Sequence, residues 1–383
     1  MIKYGIFLKI GNYQFTTATS PRGIVNEVKI TSSWEDFTDT CTITIPKKLY
    51  YKSKSEEAQP VINPSTKEPV FKSGEAVTLG VIFNGYLQER FRGQLHSIQP
   101  KRPMVIECQD GMRTLKHTTS PSITLKDATL PTLLDKILPR GTSFQAEDLQ
   151  LGLTRIPKRY TVAQVLEWLK KSYGINSFMK DDILIAGFPY LTFLQADLRK
   201  AAGNDGGAAY PVIPKNDSVP DPVIIQYGKN LIDDSNLTYV TRDQMKYKVT
   251  VVVYYPVNSP RHPDRLEGKI PKVDKQVKFT DIAGNDPDGG QRTFYMYDVD
   301  QDAALAFGAE KLKTLTYDGF TGNFTTFLVP RIRQGETVRI IHRELPDQEG
   351  IYWVKRVVSS YGMDGGRQRV ELDRKVTSGE LKL

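Results

Sequence analysis

Four histidines, two cysteines and a few acidic clusters are the residues from which a catalytic or metal site would have to be built. His342-Arg343-Glu344 has the H-x-E spacing of a zinc deaminase, where the histidine holds the metal and the glutamate moves a proton. No P-C-x-x-C follows to complete that ligand set, and His96, His117 and His262 are scattered along the chain. Asp298, Asp300 and Asp302 are spaced like the opening of a calcium loop, whose hard cation needs convergent carboxylate oxygens. Ala303 stands where such a loop requires glycine, and Ala309 where it requires glutamate, so helix capping accounts better for this cluster. Asp281, Asp286 and Asp288 lie in a stretch of Asn, Asp, Pro and Gly, which are ordinary turn formers. G-x-S-x-G, H-E-x-x-H and the phosphate-cradling G-x-x-x-x-G-K-[ST] are all missing. The sequence therefore assigns no catalytic residue, no metal ligand and no cofactor site. Paired carboxylates for glycoside hydrolysis leave no local pattern, and nothing positively indicates them.

The remaining reactive groups read as structural. Cys41 shares a strand face with Ile43 and Ile45, and Cys108 lies in another alternating run, a pattern of buried thiols. With 52 Lys and Arg against 44 Asp and Glu the net charge is +8, and the basic residues are closely accompanied by acidic ones. Arg331, Arg333, Arg339, Arg343, Arg356, Arg367 and Arg369, with Tyr352 and Trp353, make the last segment locally basic. Strand alternation gives them Glu336, Glu344, Glu349 and Glu371 as partners, which points to structural or interface charge over reading of a nucleic-acid sequence.

The elements behind these residues are mostly strands. A chain of 383 residues exceeds one ordinary domain, and 10% aromatics mark an ordered globular protein. Residues 1–118 read as short strands, with a long polar excursion after Pro46. Residues 119–222 form an α+β unit and linker. Thr129 caps a helix with Pro131 in its first turn and a stripe of Leu133, Leu134, Ile137 and Leu138. Thr161 caps a second helix lined by Val162, Val165, Leu166 and Leu169 and ended by Gly174, and a hairpin turns at Asp181 and Asp182. A Gly, Ala and Pro-rich linker follows. Residues 223–383 return to strands, interrupted by one helix that Asp300 or Asp302 caps. Its Ala304, Leu305, Gly308, Leu312 and Leu315 make the face expected to pack beside those strands. No run of ~18 apolar residues exists for a membrane helix, and the first residues alternate like a strand, so a soluble, unexported protein is expected.

The most informative signal is an internal duplication. Phe37-Thr38-Asp39 leads through a strand to Pro46, and Phe320-Thr321-Gly322 leads through a strand to Pro330. Gly74-Glu75-Ala76-Val77-Thr78-Leu79 matches Gly335-Glu336-Thr337-Val338-Arg339-Ile340, a turn glycine of positive φ followed by a strand with one inward face. Two further strands follow each. The expected fold is mainly β with an α+β insert: two related small β-barrels plus a peripheral α+β domain.

These landmarks, the stretch Trp34 to Pro46, the paired short helices before Gly174, and Ala303 to Leu315 followed by Gly319 and Gly322 resemble the hub proteins of phage tails. That family includes baseplate hub and late control proteins and the hub portion of type VI secretion spike proteins. The resemblance implies a homotrimer in which two barrels per chain match a sixfold tail tube above and a threefold central spike below. It implies contacts with other baseplate proteins, DNA passing unread through a channel, a place at the virion tail tip, and no cofactor. A tail-associated peptidoglycan hydrolase or a carbohydrate-binding receptor module is the alternative.

Overall fold

The structure, a computed structural model, describes residues 4–16, 25–46, 50–52, 58–61, 69–99, 102–180, 182–187, 222–283, 290–362 and 365–376. The first strands are β1 (Tyr4–Ile10), β2 (Tyr13–Thr16), β3 (Glu27–Ser33), β4 (Thr40–Ile45), β5 (Tyr50–Lys52), β6 (Ala58–Pro60), β7 (Ala76–Phe83), β8 (Tyr86–Gln99) and β9 (Met104–Gln109). Strand pleating turns successive side chains to opposite faces, so Cys41, Ile43 and Ile45 point inward while Thr42 and Thr44 do not. Ile6, Leu8, Ile10, Ile43, Leu79, Leu95 and Ile106 close an aliphatic core from several strands at once, so this half of the sheet curls around its interior. In the excursion after Pro46, β5 and β6 pair only with each other; most of the remainder lies outside the described residues.

A second core follows, built by α1 (Met112–His117), β10 (Ile123–Thr129), α2 (Leu130–Ile137), β11 (Phe144–Ala146), β12 (Gln150–Ile156), α3 (Val162–Tyr173), β13 (Asn176–Lys180) and β14 (Ile183–Gly187). Thr129 caps α2, accepting from the Thr132 backbone N–H at 3.3 Å, and Leu133, Leu134 and Ile137 are buried while Leu138 is partly so. Thr161 caps α3 by accepting from the Gln164 N–H, and Gly174 ends it in the left-handed region at φ 67°. The hairpin β13–β14 turns through Asp182 at φ 64°. Position 181 and the linker up to residue 221 lie outside the described residues.

The last segment contains β15 (Val223–Gln226), β16 (Leu231–Val240), β17 (Tyr247–Tyr255), α4 (Pro263–Leu266), β18 (Lys275–Ala283), β19 (Gly290–Tyr297), α5 (Gln301–Leu315), β20 (Gly319–Phe327), β21 (Thr337–Ile341), β22 (Gly350–Gly362) and β23 (Gly365–Lys375). Strand order is β16-β20-β23-β22-β21-β15 here and β3-β4-β9-β8-β7-β1 in the first segment, the same order of corresponding strands. One difference of direction remains: β1 runs antiparallel to β7, whereas β15 runs parallel to β21. β22 pairs with β3 from Arg356 opposite Ser33 to Gly362 opposite Glu27, fusing the halves into one 13-stranded sheet. Each half curls around its own core, and among the described residues neither closes into a barrel by strand pairing.

The two glycine turns have the same hydrogen bonds. Gly74 N–H donates to the Leu95 carbonyl and Leu95 N–H to the Glu75 carbonyl, both at 2.8 Å; Gly335 N–H donates to Val354 at 2.8 Å and Val354 N–H to Glu336 at 2.9 Å. Both glycines have positive φ, 90° and 72°, a conformation that side chains with a Cβ disfavour.

One expectation is corrected by the position of α5. The helix does not pack beside the second curled half; it covers β17, which pairs with β18 and β19 in a separate three-stranded layer inserted between β16 and β20. Val249, Val251 and Val253 present an apolar face that needs a cover, and the small Ala304 and Gly308 let α5 lie close to it. Leu305, expected on the packing face, is 41% exposed because that contact runs through Ala304, Gly308 and Leu315. Asp300, not Asp302, supplies the cap, accepting from the Ala303 N–H at 2.7 Å.

Candidate functional site

The residues singled out for chemistry do not converge. His96 and His117 are exposed, on β8 and at the end of α1. His342 accepts from the Leu345 N–H through Nδ1 at 3.1 Å and lies beside the Tyr227 ring. His262 is fully buried in the β17–β18 loop. Asp298 accepts from the Ser259 hydroxyl, and Asp281 lies on β18 opposite Val249; Asp286 and Asp288 fall outside the described residues. Among the described residues there is no group of three or more His, Cys, Asp or Glu placed to hold a metal. Cys41 and Cys108 are register partners on β4 and β9, both free and buried. Burial pushes the Cys41 thiol well above its ordinary pKa and that of Cys108 to about 12.

What does converge is a polar junction in two parts, both beside the Ser33–Arg356 end of the β3–β22 seam. In the first part the segment between β3 and β4 meets α3, β19 and β22. The Glu35 carboxylate lies 3.0 Å from Lys355 Nζ and 3.3 Å from Arg292, and its backbone carbonyl accepts from Lys170 on α3. Asp36 binds Arg356, Arg292 also reaches Asp373 at 2.6 Å, and Lys355 reaches Glu371 at 3.3 Å. Burial alone would raise the pKa of Glu35, but Lys355 and Arg292 outweigh it and hold the carboxylate below its usual range. Trp34 is buried against Phe178 and Ile185 from the α+β unit, with the Arg292 guanidinium 5.6 Å from its ring centre.

In the second part, which reaches Asp39 next to Ser33, the loop after β20 is tied to β8. Arg331 donates to the carbonyls of Glu89 at 2.8 Å and Arg90 at 3.2 Å, and the buried Arg90 donates back to the Leu328 carbonyl at 2.8 Å. Gln368, fully buried, donates to Phe327 and Pro330 carbonyls and accepts from Ile332 N–H, shaping the loop that carries Arg331. Gln334 donates to Asp39 at 3.1 Å across the halves. A polar cavity of about 90 Å³ lies here, with Asp39, Asp110, Arg90, Arg331, Gln334 and Lys180 among its walls. Burial raises the pKa of Asp39 to about 6, against its hydrogen bonds from Ser32, Ser33 and Gln334. It raises Asp110 as well, with Asp39 adding repulsion. Two neighbouring buried carboxyls resist losing both protons.

The landmarks divide around this junction. Gly74 and Gly335 occupy the equivalent turns described above. Pro46 follows the end of β4, and Pro330 stands in the Arg331 loop. Phe320 is buried in the second core, and its N–H donates to the Tyr352 hydroxyl at 2.9 Å. Phe37 instead lies outside any strand, against the α+β core, with Lys116 over its ring. Gly322 has φ 98° beside the Asn236 backbone. Of the seven arginines weighed for nucleic acid, Arg331 and Arg356 hold the junction, Arg339 pairs with Glu349 and Arg333 with Glu336, and Arg367 lies over Phe327. Arg343 and Arg369 are exposed. Sequence reasoning did not find Glu35, Arg90, Arg292, Lys355 or Gln368 as a set, because no spacing links residues so far apart; the only visible signal was Glu35-Asp36 within the Trp34 to Pro46 stretch.

No family model matches the chain, nor does any curated protein sequence. Solved structures do match in fold along nearly its whole length. A tail protein of Neisseria meningitidis MC58 aligns over 99% of this chain and 98% of its own with a TM-score of 0.53 at 16% identity. The 43 kDa tail protein of prophage MuSo2 from Shewanella oneidensis aligns over 97% and 98% with a TM-score of 0.54 at 14% identity. An E. coli component of the type VI secretion system, described as structurally similar to the T4 bacteriophage tail proteins gp27 and gp5, covers 97% of this chain and 77% of its own, with a TM-score of 0.50 at 10% identity. The fold is therefore that of phage tail proteins. Within that class it is similar to the tail and spike type that the resemblance in the sequence indicated.

Proposed function

We propose that the chain is a non-enzymatic structural baseplate hub of a phage tail or related contractile injection system. The observation that carries this reading is the fused pair of sheet halves with the same strand order. One chain thereby offers two similar curved walls, and three chains offer six, which is what joining a sixfold tail tube to a threefold central spike requires. In this reading residues 1–118 and 223–383 supply the walls, and 119–222 the periphery and linker. The α5 layer stands beside that periphery, where Tyr173 meets Tyr295 at 6.0 Å. The polar junction holds the walls at a set angle, and Phe37, Pro46, Gly74, Phe320, Gly322, Pro330 and Gly335 are structural positions within them. Tail tube, spike and other baseplate proteins are the partners, and DNA crosses the channel without being read.

Light scattering at several concentrations, followed by negative-stain images, tests the proposal. A species of three chains around a channel is the expected result. A protein that stays monomeric at every concentration and forms no ring with tube protein overturns it.

A further inference from the structure

The loop between β17 and β18 displays the most exposed aliphatic side chains among the described residues: Leu266 at 76%, Ile270 at 86% and Val273 at 70%. The loop is firmly pinned. His262, fully buried, accepts from the Asp264 N–H through Nδ1 at 3.2 Å, and its Nε2 lies 3.1 Å from the Val273 carbonyl. Asp274 accepts from the Val257 N–H at 2.8 Å and from the Tyr254 hydroxyl. A loop held this way keeps its aliphatic groups in water in one arrangement, so covering them requires little further ordering.

Its charges are mainly positive. Arg261, Arg265, Lys269, Lys272 and Lys275 stand against Asp264, Glu267 and Asp274. Asp274 is engaged within the loop, Asp264 is held by Lys275 at 2.8 Å, and Glu267 by Lys269 at 2.7 Å. Arg261 lies 3.9 Å from Asp298, while Arg265 and Lys272 are exposed cations without an acidic partner among these contacts. The stretch 256–275 contains no Trp, Tyr, Phe or Met. Protein-binding hot surfaces favour those residues and are depleted in lysine. Aliphatic tips framed by lysine and arginine suit a lipid surface instead, where burial is non-directional and long cationic side chains reach the headgroups.

We propose that this loop docks on an anionic lipid surface. Leu266, Ile270 and Val273 enter the boundary between headgroups and acyl chains, and Arg265 and Lys272 lie at the level of the phosphates. The contact is peripheral, and no helix among the described residues is long and apolar enough to cross a membrane.

Sedimentation of the full-length protein with vesicles tests it, comparing phosphatidylcholine containing phosphatidylglycerol with phosphatidylcholine alone. Binding to the anionic vesicles that weakens with added salt is expected. Lys272→Gln should weaken it about fivefold. Ile270→Asp and Leu266→Ser should each abolish it at an unchanged melting temperature, since both side chains are exposed. Failure of the wild-type protein to bind anionic vesicles overturns the proposal, as does undiminished binding by Ile270→Asp. A change in solution mass on Ile270→Asp without vesicle binding also overturns it, by showing that another protein chain covers the loop.

Discussion

The two halves of the large sheet reach the same strand order with different interiors. The first is closed by aliphatic side chains, with Ile6, Leu8, Ile10, Ile43, Ile45, Leu95 and Ile106 almost entirely buried. The second core includes Tyr352, Phe324, Phe320 and Tyr317, with Gln368 and Thr326 also buried in this half, and it satisfies several of these polar groups internally. The Tyr352 hydroxyl accepts from Phe320 N–H, and the Thr326 hydroxyl donates to the Asn230 carbonyl at 2.7 Å. Burial raises the phenol pKa of Tyr352 to about 12 and that of Tyr317 further. A shared topology thus rests on mostly aliphatic burial in one half and on apolar burial supplemented by aromatic rings and directed hydrogen bonds in the other. The halves also differ in where they admit insertions: after β4 in the first, and between β16 and β20 in the second, where the β17–β19 layer is added without disturbing the order of the remaining strands.

Mutations can break this contrast. Ile43→Ala in the first core should produce the largest effect, about 3 kcal/mol from lost burial and a residual cavity, read by denaturant titration. If the β3–β22 seam couples the halves, near-ultraviolet signals from the Tyr-rich second core are lost in the same transition; two separate transitions would show independent halves. Gly335→Val and Gly74→Val place a branched residue at the same turn in each half, and each should cost about 1–3 kcal/mol. Similar losses would support equivalence of the two turns, and an unchanged melting temperature for either would break it.

Tyr352→Phe sharpens the comparison further, because it removes only a hydroxyl and leaves the buried Phe320 N–H without its acceptor. A loss of about 1–3 kcal/mol is expected. A stability change near zero would show that the second core, like the first, depends on apolar area alone.

The smallest effect concerns the junction. Asp39 keeps its proton to about pH 6 in the folded chain, whereas the free carboxyl releases it near 3.8. The folded state therefore binds more protons between these values, and stability falls as pH rises through the window before levelling above it. Asp39→Asn should flatten that part of the stability profile, measured by chemical denaturation between pH 4 and 7. An unaltered slope in the variant would exclude Asp39 as its source.

Much of this contrast could be read from the residues alone. The period of Cys41, Ile43 and Ile45, the glycine turns at Gly74 and Gly335, and the caps at Thr129 and Thr161 are local signals, governed by side chains within a few positions of each other. Such signals survive without knowledge of the fold because pleat, positive φ and capping are local requirements. The duplication was legible for the same reason, since each copy repeats its local pattern in order.

The partner of each strand and helix was not legible. β17 reads as a strong strand whatever sheet it joins, and α5 as a helix whatever face it covers; only pairing with β18 and β19 assigns β17 to a separate layer, and only the packing of Ala304 and Gly308 on its valines brings α5 there. The junction likewise needs residues from Glu35 to Asp373, whose meeting depends on the β3–β22 pairing. The sequence by itself determined the strands, turns, caps and repeat. Tertiary structure alone decided which edges joined and which charges met, because long-range pairing is selected by the burial of whole faces, which no short stretch of chain encodes.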